Sequence, residues 1–257
     1  MKAIILAAGE GTRLRPYTLD RPKCLVEIDG VSLLDRQLAV LRSCGIDEIV
    51  LIGGYRCEML QNKATRLHLN PRYAETNMVW TLFCADEELV GDVVISYGDI
   101  VYSGTILESL MASQADIAGA VDIEWESYWR ARSNDPLADA ETLRLAEDGS
   151  ILEIGQRPES LEEIEGQYMG LMKFSAAGLT SLKAVFQAAR AMDQLRGKPP
   201  EKAYMTDLLQ ALIDDGVRVE AVHVRGPWVE IDTVNDLVSD STINRVLCME
   251  AGDDQPA

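Results

Sequence analysis

Apolar residues come in short unbroken runs, separated by longer stretches with a helical period. Lys2–Ala8, Glu48–Gly53 and Asp92–Tyr97 are runs of strand length ending on turn residues, the pattern of strands buried on both faces. Ile117–Asp122 and Val219–Val224 repeat it less cleanly. Between the first two runs, Leu34, Leu38 and Leu41 share one helical face, with Ser32 placed to cap the helix and Gly45 to stop it. A second helix is predicted over about Leu179–Met192. A third has Thr206 as its cap, Leu208, Leu209, Leu212 and Ile213 as its apolar stripe, and Gly216 as its stop. Asp193–Ala203 reads as an exposed loop. Strand and helix in alternation predict βαβ units. The expected fold class is therefore α/β, a single doubly wound domain with a mainly parallel sheet over residues 1–248, followed by a flexible tail at 249–257.

Composition narrows the function classes. Of 257 residues, 47% are hydrophobic and 26% charged, enough for a sizeable core. No apolar stretch approaches the ~20 residues of a membrane span, and the run after Lys2 is too short for a signal peptide. Cys24, Cys44, Cys57, Cys84 and Cys248 are scattered without a CxxC pair, which reads as reduced thiols in a cytoplasmic protein. Two histidines, His68 and His223, exclude a histidine-rich metal site. A net charge of -18 argues against nucleic acid and anionic membrane as partners. Any phosphate site must then be made locally positive.

Such a site belongs at the carboxyl ends of parallel strands. Gly9-Glu10-Gly11, Gly53–Tyr55 and Tyr97–Tyr102 all fall there. The first lacks the GxxxxGK[ST] of a P-loop. It also lacks the third glycine of a dinucleotide fingerprint, and Pro16 interrupts the helix that fingerprint requires. A plain βα turn is the competing reading. Arg13, Arg15 and Lys23 follow the turn, and a triphosphate needs fixed cations beside backbone N–H groups. Arg13 and Lys23 are the functional candidates; Arg15 and Arg21 serve equally well as solvated charges.

Residues 7–25, AAGEGTRLRPYTLDRPKCL, resemble the signature of nucleotidyltransferases that condense a nucleoside triphosphate with a phosphorylated small molecule. Tyr73–Leu82, Gly98-Asp99, Gly155–Pro158, Tyr168–Phe174 and Pro227–Leu237 continue the resemblance to about residue 240. It points to the branch of phosphocholine, phosphonate and glutamine-phosphate cytidylyltransferases and implies a Rossmann-like nucleotidyltransferase fold with a mixed sheet. It also implies an enzyme transferring a cytidylyl group from CTP to a small amine-bearing phosphate or phosphonate, with pyrophosphate released and Mg²⁺ as cofactor.

The resemblance further assigns residues. Lys23, Arg13 and Asp99 are the catalytic candidates, and Asp99 and Asp232 the metal ligands. Ala8, Gly9, Gly11, Thr12 and Asn77 are nucleotide-binding candidates; Asn77 serves equally well as a helix cap. On the acceptor side stand Arg157, where the family usually has lysine, with Tyr168 and Lys173. Trp125 and Trp129, beside Glu124 and Glu126, suggest a cage for a cationic acceptor; burial as core anchors is the competing reading. Asp236, Asp240 and Asp86 read as surface. Two alternatives stay open: a sugar-1-phosphate nucleotidyltransferase using UTP, dTTP or GTP, and a non-catalytic nucleotide-binding regulatory subunit. A homodimer is also left open.

Overall fold

Chain order begins with Lys2–Ala7 (β1), buried at every position because strands pair with both of its edges. A small hairpin of Glu27–Ile28 (β2) and Val31–Ser32 (β3) leads into Leu33–Ser43 (α1). Ser32 caps α1 by accepting from Asp35 N at 3.0 Å. Ile49–Gly53 (β4), Arg66–Leu69 (β5), Met78–Phe83 (α2), Val93–Tyr97 (β6), Ile100–Tyr102 (β7), Gly104–Ala112 (α3), Ile117–Asp122 (β8) and Trp125–Arg132 (α4) follow. The hairpin of Leu143–Leu145 (β9) and Ile151–Ile154 (β10) precedes Gln167–Phe174 (β11), Ala176–Met192 (α5) and Met205–Asp214 (α6). Glu220–Val224 (β12), Trp228–Glu230 (β13), Val234–Val238 (α7) and Asp240–Asp253 (α8) complete the chain. The structure is a computed structural model that describes residues 1–133 and 135–253.

The central sheet has seven strands in the order β12-β8-β11-β6-β1-β4-β5. Six run parallel to one another; β11 is antiparallel to both its neighbours. Successive side chains of a strand point to opposite faces, so Ala3, Ile5 and Ala7 enter one core layer and Ile4 and Leu6 the other. The first layer is covered by α1, α3 and α4, the second by α2, α5 and α6. This is the mixed, mainly parallel α/β architecture expected from the strand–helix alternation and the resemblance.

Four local expectations change. The helix placed from Leu179 begins three residues earlier, where Ser175 accepts from Gly178 N at 3.1 Å. Thr206 is not a cap but sits in the first turn of α6, whose start is fixed by Asp207 accepting from Tyr204 N at 2.8 Å. In Asp193–Ala203, Leu195 and Ala203 are buried and Lys198 pairs with Asp207 at 2.7 Å, so the segment is anchored, not wholly exposed. The tail does not begin at 249. Helix α8 runs to Asp253, with Met249 buried and Glu250 paired to Arg36; the rest of the expected tail, 254–257, lies outside the described residues.

Candidate active site

The loop after β1 folds back on itself. Gly11 adopts a left-handed backbone, φ 65°, and a Cβ there would lie 3.0 Å from the Lys23 Cβ. Thr18 Oγ1 donates to Gly11 O at 2.8 Å and Lys23 N to Gly9 O at 3.4 Å. These contacts aim Lys23 at the strand ends. The cavity there is lined by Ala8, Gly9, Lys23, Asn77, Gly98 and Asp99, among others. Gly98 N donates to Leu6 O at 3.0 Å, and a Cβ on Gly98 would sit 2.7 Å from that oxygen. Close approach of the two strand ends therefore requires glycine. Asn77 caps α2, its Oδ1 accepting from Met78 N at 2.8 Å, and the residue also lines the cavity.

Two aspartates meet at the edge of this cavity. Strands β7 and β13 pair antiparallel, and Ile231 N donates to Asp99 O at 3.0 Å. Asp99 and Asp232 are thus side by side although far apart in sequence. The Lys23 ammonium lies 2.6 Å from Asp99 Oδ2 and 2.5 Å from Asp232 Oδ1. Arg13 Nη2 reaches Asp232 Oδ2 at 3.1 Å. Burial works against the Lys23 charge, but the facing carboxylates outweigh it and hold its pKa above the usual lysine range. Burial likewise opposes the Asp232 charge, and Lys23 and Arg13 overcome it, lowering that pKa. Asp99 Oδ1 is buried without a hydrogen-bond partner. Hard carboxylate oxygens, one of them unused, suit a divalent cation bridging to phosphate.

A second cavity adjoins the first across Met78, Tyr97 and Asp99, which line both. Its wall includes Arg13, Tyr168, Glu141, Gln167, Glu230 and Asp232. Arg13 therefore stands on the Asp232 side and not in the wall of the first cavity. Tyr97 and Tyr168 meet edge to face, ring centres 6.0 Å apart. Gly170 makes this possible: at φ 77° it lies against the Tyr97 ring, where a Cβ would come within 2.3 Å of Cδ2. Asp139, Glu230 and Asp232 can each place one carboxylate oxygen within 4.8 Å of the others.

Several expected site residues are not brought together. Lys173 is three residues beyond Gly170, the Tyr97 contact on β11, toward the opposite end of the sheet; it is buried and donates to Ser113 O. It faces no phosphate site. Arg157 is exposed, and Thr12 is exposed at the start of a short 3-10 turn. The cage of Trp125 and Trp129 is not formed: Trp129 lines the second cavity, but Trp125 lines neither. Both indoles are buried, 5% and 4% exposed, while Glu124 and Glu126 are on the surface, paired with Arg225 and Arg130. The aromatic faces do hold cations, but these are the chain's own. Arg132 lies 5.3 Å from the Tyr128 ring and 5.1 Å from Trp129, and Arg245 lies 4.2 Å from Tyr128.

Arg132 had no place in the expected site. Its guanidinium bonds Glu230 Oε2 at 2.9 Å and Asp236 Oδ1 at 3.1 Å. Asp236, read as surface, is buried; its Oδ2 accepts from Asp232 N at 3.1 Å and Thr233 N at 2.8 Å. The aromatic helix thus supports the turn that carries Asp232. Helical spacing held the signal, since Tyr128 and Trp129 lie four and three residues before Arg132. Strand alternation likewise puts Glu230 and Asp232 on one face. Tyr73, Thr76 and Thr81 join the first cavity; they belong to the Tyr73–Leu82 segment that carries the resemblance, which singled out only Asn77.

Residues 3–197 match the MobA-like NTP transferase domain. The fold is that of a nucleotidyltransferase, and the chain belongs to this family. It is 40% identical over 248 residues to the CTP:phosphoglutamine cytidylyltransferase of Campylobacter jejuni, covering 92% of this chain and 98% of that one. Among solved structures it resembles the inositol-1-phosphate CTP transferase from T. maritima, with a TM-score of 0.75, 22% identity and coverage of 98% and 96%. It also resembles the CTP:phosphocholine cytidylyltransferase from Streptococcus pneumoniae, with a TM-score of 0.69, 23% identity and coverage of 91% and 95%.

Proposed function

We propose that the protein transfers a cytidylyl group from CTP to a small amine-bearing phosphate or phosphonate and releases pyrophosphate, with phosphorylated glutamine the leading acceptor. The observation that carries this reading is the 40% identity to a CTP:phosphoglutamine cytidylyltransferase, sustained over nearly the whole of both chains. The geometry is compatible with it. The first cavity suits the nucleotide, the second the acceptor, and the two join beside Asp99.

In this reading an acceptor oxygen attacks the α-phosphorus while pyrophosphate departs. That oxygen is already ionised near neutral pH, so no general base is required, and catalysis reduces to alignment and charge stabilisation. Lys23, held charged, offsets the charge that builds at the α-phosphate. Ala8, Gly9 and Gly11 bring backbone close to the nucleotide. Arg13 reaches across Asp232 to the departing phosphates. Asp99 and Asp232 would hold a divalent cation, Mg²⁺, which when bound neutralises phosphate charge. Among the described residues no helix is long and apolar enough to cross a membrane, and no disulfide joins the five cysteines. A cytoplasmic enzyme that prepares a capsule or cell-surface precursor accords with both.

The test is a matrix of CTP, UTP, GTP, ATP and dTTP against phosphorylated glutamine, phosphocholine, phosphoethanolamine, 2-aminoethylphosphonate and glucose 1-phosphate, read as pyrophosphate release. CTP with an amine-bearing acceptor should give the highest turnover. Preference for UTP or dTTP with glucose 1-phosphate would replace this reading with a sugar-nucleotide one.

A further inference from the structure

The second cavity has an unbalanced wall. Five carboxylates, of Asp99, Asp139, Glu141, Glu230 and Asp232, face one cation, Arg13. Four of the five have a basic side chain within 4 Å. Lys23 serves Asp99 and Asp232, and Arg132 bonds Glu230 and stands 3.8 Å from Asp139. The Glu141 carboxylate has neither an ion pair nor a hydrogen bond among the described residues. Its backbone, by contrast, is pinned twice to one side chain: Glu141 N donates to Gln167 Oε1 at 3.3 Å, and its carbonyl accepts from Gln167 Nε2 at 2.6 Å. The backbone is thus fixed, while the carboxyl lacks a partner among the described residues. Its pKa is pushed up to about 7 by burial, with Asp207 and Asp139 adding to the shift against Lys198, so that a cation beside it would hold it ionised.

Its surroundings suit a cation. Tyr97 and Tyr168, whose rings meet edge to face, feel the Glu141 charge and line the same cavity. Trp129 is also in the wall, its buried Nε1 without a partner. A phosphate entering such a cavity is repelled by each like charge that no cation offsets. An ammonium on the same molecule offsets this by pairing with the free carboxylate, and the tyrosine faces add to the attraction. A sugar hydroxyl offers no such compensation.

We propose that Glu141, flanked by Tyr97 and Tyr168, is the counter-ion for a cationic amine on the acceptor and so the residue that selects zwitterionic phosphates over neutral-bodied ones. This replaces the tryptophan cage, since Trp125 lies outside the cavity and Trp129 already faces Arg132. The inference rests on the cytidylyl-transfer reading above.

The experiment compares phosphoethanolamine with ethyl phosphate, and the best amine-bearing acceptor of the panel with glucose 1-phosphate, in wild type, Glu141→Gln and Glu141→Asp. In wild type the amine should raise kcat/KM at least about tenfold, the scale of one charge-assisted contact. Glu141→Gln should bring that ratio close to one by raising the acceptor KM, and Glu141→Asp should restore part of it. The KM for CTP, unchanged in both variants, serves as the control for folding. A ratio that survives in a folded Glu141→Gln enzyme overturns the assignment. So does wild-type indifference to the amine while cytidylyl transfer proceeds. Wild-type enzyme that moves no cytidylyl group to any phosphate instead overturns the functional reading itself, before any variant is made.

Discussion

Asp99 and Asp232 stand side by side on one antiparallel ribbon and close on the same ammonium, that of Lys23, at 2.6 and 2.5 Å. Three charged groups from three distant segments are thereby confined to the junction of two cavities. Each can be removed separately, and the consequences differ.

Loss of either carboxylate should abolish the chemistry without unfolding the chain. Asp99→Asn and Asp232→Asn each keep the shape and remove a hard ligand. Turnover should fall by about two to four orders of magnitude, while thermal unfolding stays near that of wild type. A Mg²⁺ titration of pyrophosphate release should need more metal for half-saturation in both. Near-normal turnover in either purified variant removes that residue from the site.

Lys23→Ala should act mainly on the chemical step. The ammonium is held charged between two carboxylates, where it can offset charge growing at phosphorus. Its loss should lower kcat by about 10²–10³-fold, with a smaller change in the KM for CTP. The reverse split, a raised KM with kcat retained, would make Lys23 a ground-state binder.

The aromatic helix should matter for stability and for the Asp232 turn. Trp125→Ala removes a buried indole and should cost about 3–5 kcal/mol in urea denaturation, without a selective rise in the acceptor KM. Arg132→Met leaves Glu230 and Asp236 buried without their cation, a loss of about 3–5 kcal/mol. A selective effect of Trp125→Ala on acceptor binding, with stability intact, would revive the tryptophan cage.

The edge of the sheet should give an acid-sensitive contribution. Burial would raise the Glu88 pKa, but Lys2 at 2.6 Å, with His68 and Arg66, lowers it below the usual value. A depressed folded pKa means the stabilisation is fully present above the unfolded value, about 4.3, and is lost as pH falls through the folded one. Wild type should therefore exceed Glu88→Gln by a constant margin from about pH 5.5 to 8, and the margin should shrink below about pH 4.5. Melting curves across that range check it; a margin that grows on acidification contradicts it.

Much of the fold was legible because its strands are locally autonomous signals. β1, β4 and β6 are continuous apolar runs since parallel strands are buried on both faces, and Ser32 and Gly45 mark α1 through capping chemistry that needs no tertiary partner. The loop from Gly9 to Lys23 was legible for the same reason: its glycines and cations lie close together in sequence. What sequence could not decide was which distant charges meet. Lys173 carries the same residue chemistry as Lys23, but β11 runs antiparallel and ends at the far side of the sheet. Trp125 and Trp129 have the composition of a ligand cage, yet Trp125 is buried, Trp129 faces Arg132 of its own helix, and Tyr128 beside it faces Arg245 of α8. Glu141 gave no motif at all; its partnerless carboxylate is a property of the cavity around it. Residue type and spacing determine local backbone and the charges available. Only the packing of strands and helices decides which of those charges are neutralised inside the protein and which are left to face a ligand, because pairing energies depend on distances and burial that no single segment sets.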